Sequence, residues 1–270
     1  MKYTFTNKTV VITGAASGIG KIMLRKSLER KAKQVFVLDY NLQGIENVIK
    51  EFSTYQIPIH SVVVDLSKVD QIKEAINQIT QLTDSVDILI NNAGIVVGSE
   101  FVTNSWTDID RTMMINSNAP MYLGLAFLPK MVEKNTGIIC NISSLAGLTS
   151  TPKLAVYSAS KWAVLGWSEG LRIEMKQANK NVLINTVTPF YINTGMFDGV
   201  KSKLLPILDP EKTADKIIRN IEKGKNKTAL PLPTWVIRLS QALLPLSLYD
   251  FVMDDIFGIY DTMADFKGRK

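Results

Sequence analysis

The chain has 270 residues and a formal net charge of +6, with 46% hydrophobic and 21% charged residues. This balance excludes an intrinsically disordered chain and suits one large globular domain. Cys140 is the single cysteine, which excludes an intramolecular disulfide and favours a reducing compartment. Residues 1–11 lack the apolar core of a signal peptide, and no uncharged apolar run reaches the roughly 20 residues of a membrane-spanning helix. We therefore predict a soluble, cytoplasmic protein.

Positive charges cluster early in the chain, between residues 21 and 33. The cluster consists of Lys21, Arg25, Lys26, Arg30, Lys31 and Lys33. Their spacing fits the exposed face of one helix, and a patch that binds nucleic acid or lipid is the alternative. We favour the helix face and predict no nucleic-acid partner.

A glycine-rich turn follows the first predicted strand. Thr9-Val10-Val11-Ile12 is a short β-branched run, the next residues carry glycines at the spacing Gly-x3-Gly-x-Gly, and a helical pattern begins at once. Strand, glycine turn and helix in this order let the backbone approach a pyrophosphate, which rests on the N–H groups and positive dipole of the helix start. A tight turn without a ligand is the alternative. The predicted dinucleotide contacts are Gly14, Ser17, Gly18, Ile19 and Gly20.

An acidic residue closes the second predicted strand, which covers residues 34–38. Asp39 lies about 20 residues beyond Gly20, the distance at which a carboxylate meets the adenosine ribose of a dinucleotide. A carboxylate there accepts hydrogen bonds from free ribose hydroxyls and repels a 2′-phosphate. The pattern therefore predicts NAD, with NADP disfavoured. The alternative is that Asp39 caps the following helix.

Strands and helices continue to alternate along the chain. Further strands are predicted at 59–64, 86–90, 137–142, 181–187 and 228–232, and helices at 68–82, 118–134, 154–175 and 210–223. Asp65 follows the third strand and Asn91-Asn92-Ala93-Gly94 the fourth, so both lie where parallel sheets bind ligands. We predict a single α/β domain over residues 1–270, of the Rossmann type. It has a doubly wound parallel sheet of about seven strands with helices on both faces.

Tyr157 and Lys161 lie four residues apart in the long predicted helix 154–175. At that spacing both side chains leave the same helical face. A nearby cation favours the phenolate and draws the pKa of a tyrosine, ordinarily about 10, towards working pH. Such a pair can exchange protons with a substrate, although tyrosine and lysine also occur at this spacing by chance.

With these motifs in order, the chain resembles the short-chain dehydrogenase/reductase family over roughly residues 6–196. The motifs are the glycine turn, Asp65, Asn91-Asn92-Ala93-Gly94, Asn116, Ser144 and Tyr157-x3-Lys161. The resemblance implies a catalytic tetrad of Asn116, Ser144, Tyr157 and Lys161. Ser144 is preferred to Ser143 because family members usually carry the serine 13 residues before the tyrosine.

The resemblance also implies a role for each member of the tetrad. Tyr157 exchanges a proton with the substrate oxygen, while Lys161 lowers the tyrosine pKa and binds the nicotinamide ribose. Ser144 hydrogen-bonds the substrate oxygen, and the backbone carbonyl of Asn116 holds a water on the proton relay. Further implied cofactor contacts are Asp65, Leu66, Asn92, Ala93, Gly94, Tyr157, Pro189 and Thr194. No metal site is predicted.

One position departs from the family pattern. Relatives usually carry Pro-Gly after the sixth strand, whereas this chain has Pro189-Phe190. Phe190 either walls the substrate pocket or reflects simple drift. The following Thr194 still matches the position that holds the nicotinamide carboxamide in the family.

The last third of the chain extends beyond the family's usual length. Residues 1–195 are assigned to the Rossmann core, 196–225 to a substrate lid and helix, and 226–270 to a C-terminal extension. The extension is rich in Leu, Ile, Phe, Trp and Met. It covers the sheet or a subunit interface, encloses an apolar substrate, or lies on a membrane surface. The membrane alternative is disfavoured because basic residues flank the extension only near its end.

The sequence thus predicts an NAD(H)-dependent oxidoreductase that interconverts a hydroxyl and a carbonyl group. Apolar pocket candidates predict a hydrophobic alcohol or ketone as substrate, such as a steroid, retinoid or fatty alcohol. These candidates are Val96, Val97, Phe101, Phe190, Tyr191, Met196 and Phe197. The alternatives are an NADPH-dependent ketoreductase of the 3-oxoacyl or sphingoid type, which Asp39 disfavours, and a regulator that senses NAD without turnover. The family resemblance implies a homodimer or homotetramer.

Overall fold

The computed structural model describes residues 3–231 and 234–268. Seven parallel strands form a sheet in the order β3-β2-β1-β4-β5-β6-β7. The strands are β1 (Thr9–Thr13), β2 (Gln34–Asp39), β3 (Ile59–Val63), β4 (Ile88–Asn91), β5 (Gly137–Ile142), β6 (Val182–Pro189) and β7 (Lys227–Leu230). The predicted α/β fold with a doubly wound parallel sheet is confirmed.

Helices cover both faces of the sheet. The α-helices of the described residues are α1 (Gly18–Glu29), α2 (Leu42–Phe52), α3 (Val69–Leu82), α4 (Trp106–Met113), α5 (Ala119–Glu133), α6 (Ala155–Gln177), α7 (Pro210–Glu222), α8 (Thr234–Leu243) and α9 (Leu246–Phe251). Side chains alternate between the faces of a strand, and in β1 they are buried on both. Val10 and Ile12 pack with α1, α2 and α7, whereas Val11 packs with α3 and α5. This burial on both faces explains why the strands are continuous apolar runs.

The chain reverses its direction of winding at the centre of the sheet. From β1 it moves outward to β2 and β3, and then returns to place β4 on the other side of β1. In doubly wound sheets a ligand crevice lies at such a switch point, beyond the carboxyl ends of the strands. The fold therefore places the glycine turn after β1 and the loop after β4 at the two sides of one crevice.

The basic residues of α1 form ion pairs with acidic residues of neighbouring helices. Arg25 lies 2.6 Å from Glu211, and Arg30 lies 2.7 Å from Glu222, both on α7. Lys21 reaches Glu51 of α2 at 2.6 Å. Much of the positive cluster is therefore balanced within the fold, as expected for a helix face rather than an anion-binding patch.

The C-terminal extension folds over the carboxyl end of the sheet. The hydroxyl of Thr151 donates to the carbonyl of Ile259 at 2.8 Å, and Lys153 Nζ donates to the carbonyl of Met263 at 3.3 Å. Ile259 and Met263 belong to a third apolar cluster, separate from the two that cover the sheet faces. The inner side of the extension thus closes over the crevice, as the substrate-enclosing alternative requires.

The outer side of the same segment is apolar and exposed. Trp235 and Leu243 on α8 are 63% and 69% exposed, and Leu246 and Phe251 on α9 are 75% and 52% exposed. The subunit-interface and membrane-surface alternatives both still apply to this outer side. Among the described residues, no helix is both long and apolar enough to cross a bilayer.

The predicted elements agree with the structure to within two residues at each boundary. Leu232, which the prediction placed at the end of β7, lies outside the described residues. Four helices were not predicted, namely α2, α4, α8 and α9. α2 carries Gly44 in its first turn, a poor helix former, but the Asn41 side chain caps the helix by accepting from the Gly44 N–H at 3.0 Å.

Candidate active site

A cavity of about 600 Å³ lies at the carboxyl ends of the strands. One half is lined by the glycine turn and the residues after β2 and β3, and the other half by aromatic side chains after β6. Tyr157 and Lys161 lie where the two halves meet. The volume is in the range of ligand pockets in general.

The glycine turn has the backbone geometry that only glycine adopts readily. Gly14 and Gly18 have φ values of +65° and +57°, in the left-handed region. A Cβ on Gly14 would lie 2.9 Å from the Cα of Ala93, and one on Gly20 would collide with the Gly14 carbonyl oxygen. α1 begins at Gly18, so its first N–H groups face the cavity that the turn leaves clear. This cradle fits a pyrophosphate.

Gly20 has a different role from the one predicted. All other predicted dinucleotide contacts line the cavity, but Gly20 does not. Its missing side chain allows α1 to pack against the Gly14 carbonyl and the Asn92 side chain. Gly20 therefore shapes the turn rather than contacting a ligand.

Asp39 lies beside the glycine turn with both carboxylate oxygens held. One oxygen accepts from the Ala16 N–H and the other from the Asn41 N–H, each at 3.1 Å. Asn41, not Asp39, caps α2, so the alternative that Asp39 is a helix cap is wrong. The carboxylate faces the cavity, and its remaining lone pairs suit the hydroxyls of a ribose.

Asp65 and Leu66 line the next part of the same half of the cavity. Partial burial acts to raise the pKa of Asp65, but hydrogen bonds from Ser67 and the positive charges of Arg111 and Lys68 outweigh it and lower this pKa. Arg111, on α4, also lines the cavity and was not predicted. Neither its spacing nor its surroundings in sequence distinguishes it from other surface arginines.

Asn92 joins the loop after β4 to the glycine turn. Its Nδ2 donates to the carbonyl oxygens of Thr13 and Gly14 at 3.0 and 3.1 Å. In return, the Thr13 hydroxyl oxygen accepts from the N–H groups of Asn92 and Ala93, each at 2.9 Å. The Asn92 side chain therefore fixes the two walls of the crevice relative to each other.

Tyr157 and Lys161 are buried on the same face of α6, 5% and 4% exposed. Lys161 Nζ lies 5.6 Å from the centre of the tyrosine ring and donates to the Ile142 carbonyl at 3.0 Å. Burial raises the pKa of Tyr157, against a smaller opposing effect of a hydrogen bond with Ser144, and burial lowers the pKa of Lys161 to about 8. The pKa of Tyr157 thus shifts upward in the structure, against the predicted lowering, and Lys161 is not among the causes of the shift.

The two adjacent serines have distinct positions. Ser144 lines the cavity beside Tyr157, and its hydroxyl oxygen accepts from the Ala146 N–H at 3.1 Å. The Ser143 hydroxyl is buried and donates to the Lys161 carbonyl at 2.9 Å. Ser144 therefore has its hydroxyl beside the Tyr157 phenol, whereas the Ser143 hydroxyl supports α6.

Asn116 lies in a π-helical turn between α4 and α5, a local widening often found at functional sites. Its side chain does not line the cavity. Instead, its amide donates to the Ile95 carbonyl and to the Ser160 hydroxyl, both at 3.0 Å, and accepts from the Ile95 N–H at 2.8 Å. The Asn116 side chain therefore supports the loop after β4. The predicted role of holding a water on the proton relay falls to its backbone carbonyl.

Aromatic rings form the substrate half of the cavity. Phe197 contacts the ring of Tyr157 edge-on at 5.8 Å and that of Tyr191 at 4.9 Å, and Phe190 packs on Tyr191 at 4.5 Å. Phe190 and Met196 both line this half, so Phe190 stands as a wall at the position where relatives carry glycine.

Three pocket candidates, Val96, Val97 and Phe101, do not line the cavity. Val96 packs against the aromatic cluster but does not line the cavity, where its neighbour Ile95 lies instead. Phe101 is 60% exposed because residues Phe101–Thr103 form a 3₁₀ turn on the surface. The unpredicted lining residues of this half are Leu145, Ala146, Thr149, Thr151, Leu154 and Ile259. Within the described residues, no group of three or more His, Cys, Asp or Glu side chains could hold a metal ion.

Comparison with known proteins agrees with this geometry. The family model described as short chain dehydrogenase matches residues 8–204. The chain belongs to this family. It is therefore an oxidoreductase of the alcohol dehydrogenase type, and the family uses NAD or NADP as cofactor. The residues of the glycine turn, Asp39 and the loop after β4 fit such a dinucleotide.

Several relatives have assigned activities. The chain is 32% identical to human epidermal retinol dehydrogenase 2 over 266 residues, which are 97% of this chain and 85% of that protein. It is 27% identical to estradiol 17-beta-dehydrogenase 11 of Rattus norvegicus over 269 residues, 99% of this chain and 90% of that protein. A solved structure of the bulky-bulky ketone specific alcohol dehydrogenase from Comamonas testosteroni is 26% identical with a TM-score of 0.78, covering 88% of this chain and 92% of that one.

Replacement of Gly20 tests the glycine turn. In Gly20→Ala the added methyl group collides with the Gly14 carbonyl, so the turn must shift, and we expect the affinity for the dinucleotide to fall by at least about tenfold. Titration calorimetry with NAD and NADP measures this loss. Gly166→Ala is the control, because a Cβ there meets nothing within 4 Å on the exposed side of α6. It should keep its affinity and gain about 0.5–1 kcal/mol of stability. Unchanged affinity in Gly20→Ala would contradict this account of the turn.

Proposed function

We propose that this protein is an NAD(H)-dependent oxidoreductase that interconverts a hydroxyl and a carbonyl group on a hydrophobic substrate such as a steroid, retinoid or fatty alcohol. The observation that carries the proposal is the position of Tyr157. Its phenol lies between a cradle that ends at an acidic residue, Asp39, and a pocket walled by aromatic rings. A proton donor is thus held where a dinucleotide and an apolar substrate would meet.

The roles of the protein groups follow from their contacts. When bound, NAD supplies the hydride chemistry. Tyr157 donates its proton to the carbonyl oxygen in reduction and accepts one from the hydroxyl in oxidation. Ser144, beside the phenol, hydrogen-bonds the same oxygen and stabilises the charge that develops on it. Lys161, anchored at the Ile142 carbonyl, is placed to bind the nicotinamide ribose.

The hydrophobic substrate class is supported by the pocket and by the relatives. Phe190, Tyr191 and Phe197 offer ring surfaces, and Leu154 and Ile259 close the far side. Apolar burial of this kind contributes roughly 25 cal/mol for each Å² of substrate surface removed from water. Relatives named for retinol and estradiol act on compounds of this character.

The preference for NAD rests on the charge at Asp39. No basic side chain follows it, since the next two residues are Tyr40 and Asn41. A 2′-phosphate placed beside an uncompensated carboxylate would be repelled, whereas ribose hydroxyls would be bound. The NADPH-dependent ketoreductase alternative needs a positive charge at this position.

Location and assembly complete the proposal. A cytoplasmic location is supported by Cys140, a single and buried cysteine.

A homodimer or homotetramer is supported by exposed apolar side chains on the outer sides of α5 and α6. Leu125 is 75% exposed and Trp162 is 52% exposed, and contact with a second copy would remove this apolar surface from water.

Replacement of Tyr157 by phenylalanine tests the proposal itself. Wild-type protein should oxidise apolar alcohols with NAD, followed by nicotinamide absorbance, and Tyr157→Phe should lose at least about 100-fold in kcat. NAD affinity, measured by calorimetry, should change little because the ring remains. An NAD-sensing regulator would instead bind NAD in both proteins and turn over no alcohol in either.

The pH dependence tests the buried state of Tyr157. Burial raises its pKa, so the protonated phenol, the form that reduction needs, predominates at neutral pH. We expect kcat/KM for reduction to be level from about pH 6 to 8, and kcat/KM for oxidation to rise with pH through and above that range, because oxidation needs the phenolate. Oxidation that is independent of pH up to about 10 would contradict the role of the phenol as base.

Asp39→Asn tests the cofactor preference. Loss of the negative charge should lower the ratio of kcat/KM with NAD to that with NADP by at least about tenfold, or about 1.4 kcal/mol. Asp70→Asn removes an equal charge from α3, where the side chain is 91% exposed, and should leave the ratio unchanged. A wild-type enzyme that favours NADP would show that the assignment of Asp39 is wrong.

A further inference from the structure

A polar group in the apolar half of the cavity has no role in the chemistry described above. Thr149 lines the cavity and is 7% exposed. It follows the 3₁₀ turn Leu145–Gly147, which starts directly after Ser144. A buried hydroxyl in a mostly aromatic and aliphatic wall calls for hydrogen-bond partners.

A chain of hydrogen bonds from the C-terminal extension fixes how this hydroxyl is oriented. Gln241 Nε2 donates to the Leu148 carbonyl at 2.7 Å and to the Tyr249 hydroxyl oxygen at 3.4 Å. The Tyr249 hydroxyl in turn donates to Thr149 Oγ1 at 2.8 Å. The Tyr249 oxygen accepts from Gln241, and its own hydrogen is given to Thr149. The threonine oxygen is therefore held as an acceptor.

The Thr149 hydroxyl hydrogen is then available to a ligand. No side-chain or backbone group in residues 3–231 and 234–268 accepts it. Neighbouring hydroxyls of the same wall are already used. Thr151 donates to the Ile259 carbonyl at 2.8 Å. Thr262 donates to that same carbonyl, so Tyr191, 2.9 Å from the Thr262 oxygen, gives its hydrogen to Thr262.

We infer that Thr149 donates a hydrogen bond to a second oxygen of the substrate, which makes the preferred substrate an apolar compound with two oxygen functions. One oxygen is at the reacting carbon, beside Tyr157 and Ser144. The other, a carbonyl, ether or hydroxyl oxygen, accepts from Thr149. This inference rests on the proposed function and narrows its substrate class.

Selectivity follows from the cost of leaving the donor unpaired. A substrate with hydrocarbon at this position would cover the Thr149 hydroxyl and give it no acceptor in a site that excludes water. A substrate with an oxygen there pairs it. Sites built around such a donor reject the analogue that lacks the acceptor more strongly than an apolar pocket rejects a change of shape.

Matched substrate pairs test this inference. Each pair consists of two rigid apolar alcohols, one of which has a carbonyl group or an ether oxygen in place of a remote CH₂ group. Several pairs are used, and the distance between the two oxygens differs from pair to pair. The ratio of kcat/KM within a pair is measured with NAD in wild type, Thr149→Val, Thr149→Ser and Thr151→Val. A ratio cancels any general loss of folded enzyme.

We expect wild type to prefer the two-oxygen member of at least one pair by about tenfold to 100-fold. Thr149→Val should bring that ratio close to one, and Thr149→Ser should restore it. Thr151→Val is the matched control, because its hydroxyl already donates to the protein, and it should keep the wild-type ratio. Wild type without a preference at any spacing, or a preference that survives in Thr149→Val, would overturn the inference.

Tyr249 is a positioning residue, and Tyr249→Phe tests its part. It should raise KM for the two-oxygen substrate while kcat stays within about twofold of wild type. An unchanged KM would exclude the orienting role.

Calorimetric binding of the same pairs in the presence of NAD separates this inference from the proposed function. Absence of turnover with every alcohol, combined with a binding preference that Thr149→Val removes, would overturn the proposed function and support the Thr149 site. Turnover of both members without preference would support the proposed function and overturn the Thr149 site.

Discussion

The hydrogen bonds between Thr13 and Asn92 fix the geometry on which the rest of the site depends. They join the ends of β1 and β4, the two strands that flank the point where the chain reverses its winding. Without them the glycine turn and the loop after β4 would each be ordinary surface loops. With them, the missing side chains of the turn leave a recess, because a Cβ on Gly14 or Gly20 would come closer to neighbouring backbone atoms than van der Waals contact allows.

Two polar residues that resemble catalytic groups in the sequence are occupied by the fold. Asn116 braces Ile95 and Ser160, and Ser143 holds α6 to the end of β5. Tyr157 and Ser144 line the cavity next to each other. The surrounding contacts restrict these two side chains before any ligand arrives, which is how a protein lowers the entropic cost of reaching a reactive arrangement.

The parts of the fold and site that depend on local order could be predicted from the sequence. The strands, the glycine turn and the Tyr157–Lys161 spacing are set by neighbours within a few residues, and they lie where the pattern places them. Contacts between distant segments could not be predicted. The apolar character of the extension indicated that it packs somewhere, but which wall Ile259 completes depends on side chains 100 residues away. The upward shift of the Tyr157 pKa could not be predicted for the same reason, since burial is a property of the folded chain.

The substrate half of the cavity takes one wall from a segment far along the chain. The residues that line the dinucleotide half end at Thr194, whereas Ile259 closes the other half and is held there by the hydroxyl of Thr151. If the extension undocked, the Tyr157 side of the cavity would open to water while the lining of the dinucleotide half stayed the same. Docking of the extension therefore controls how dry the phenol is, independently of the cradle.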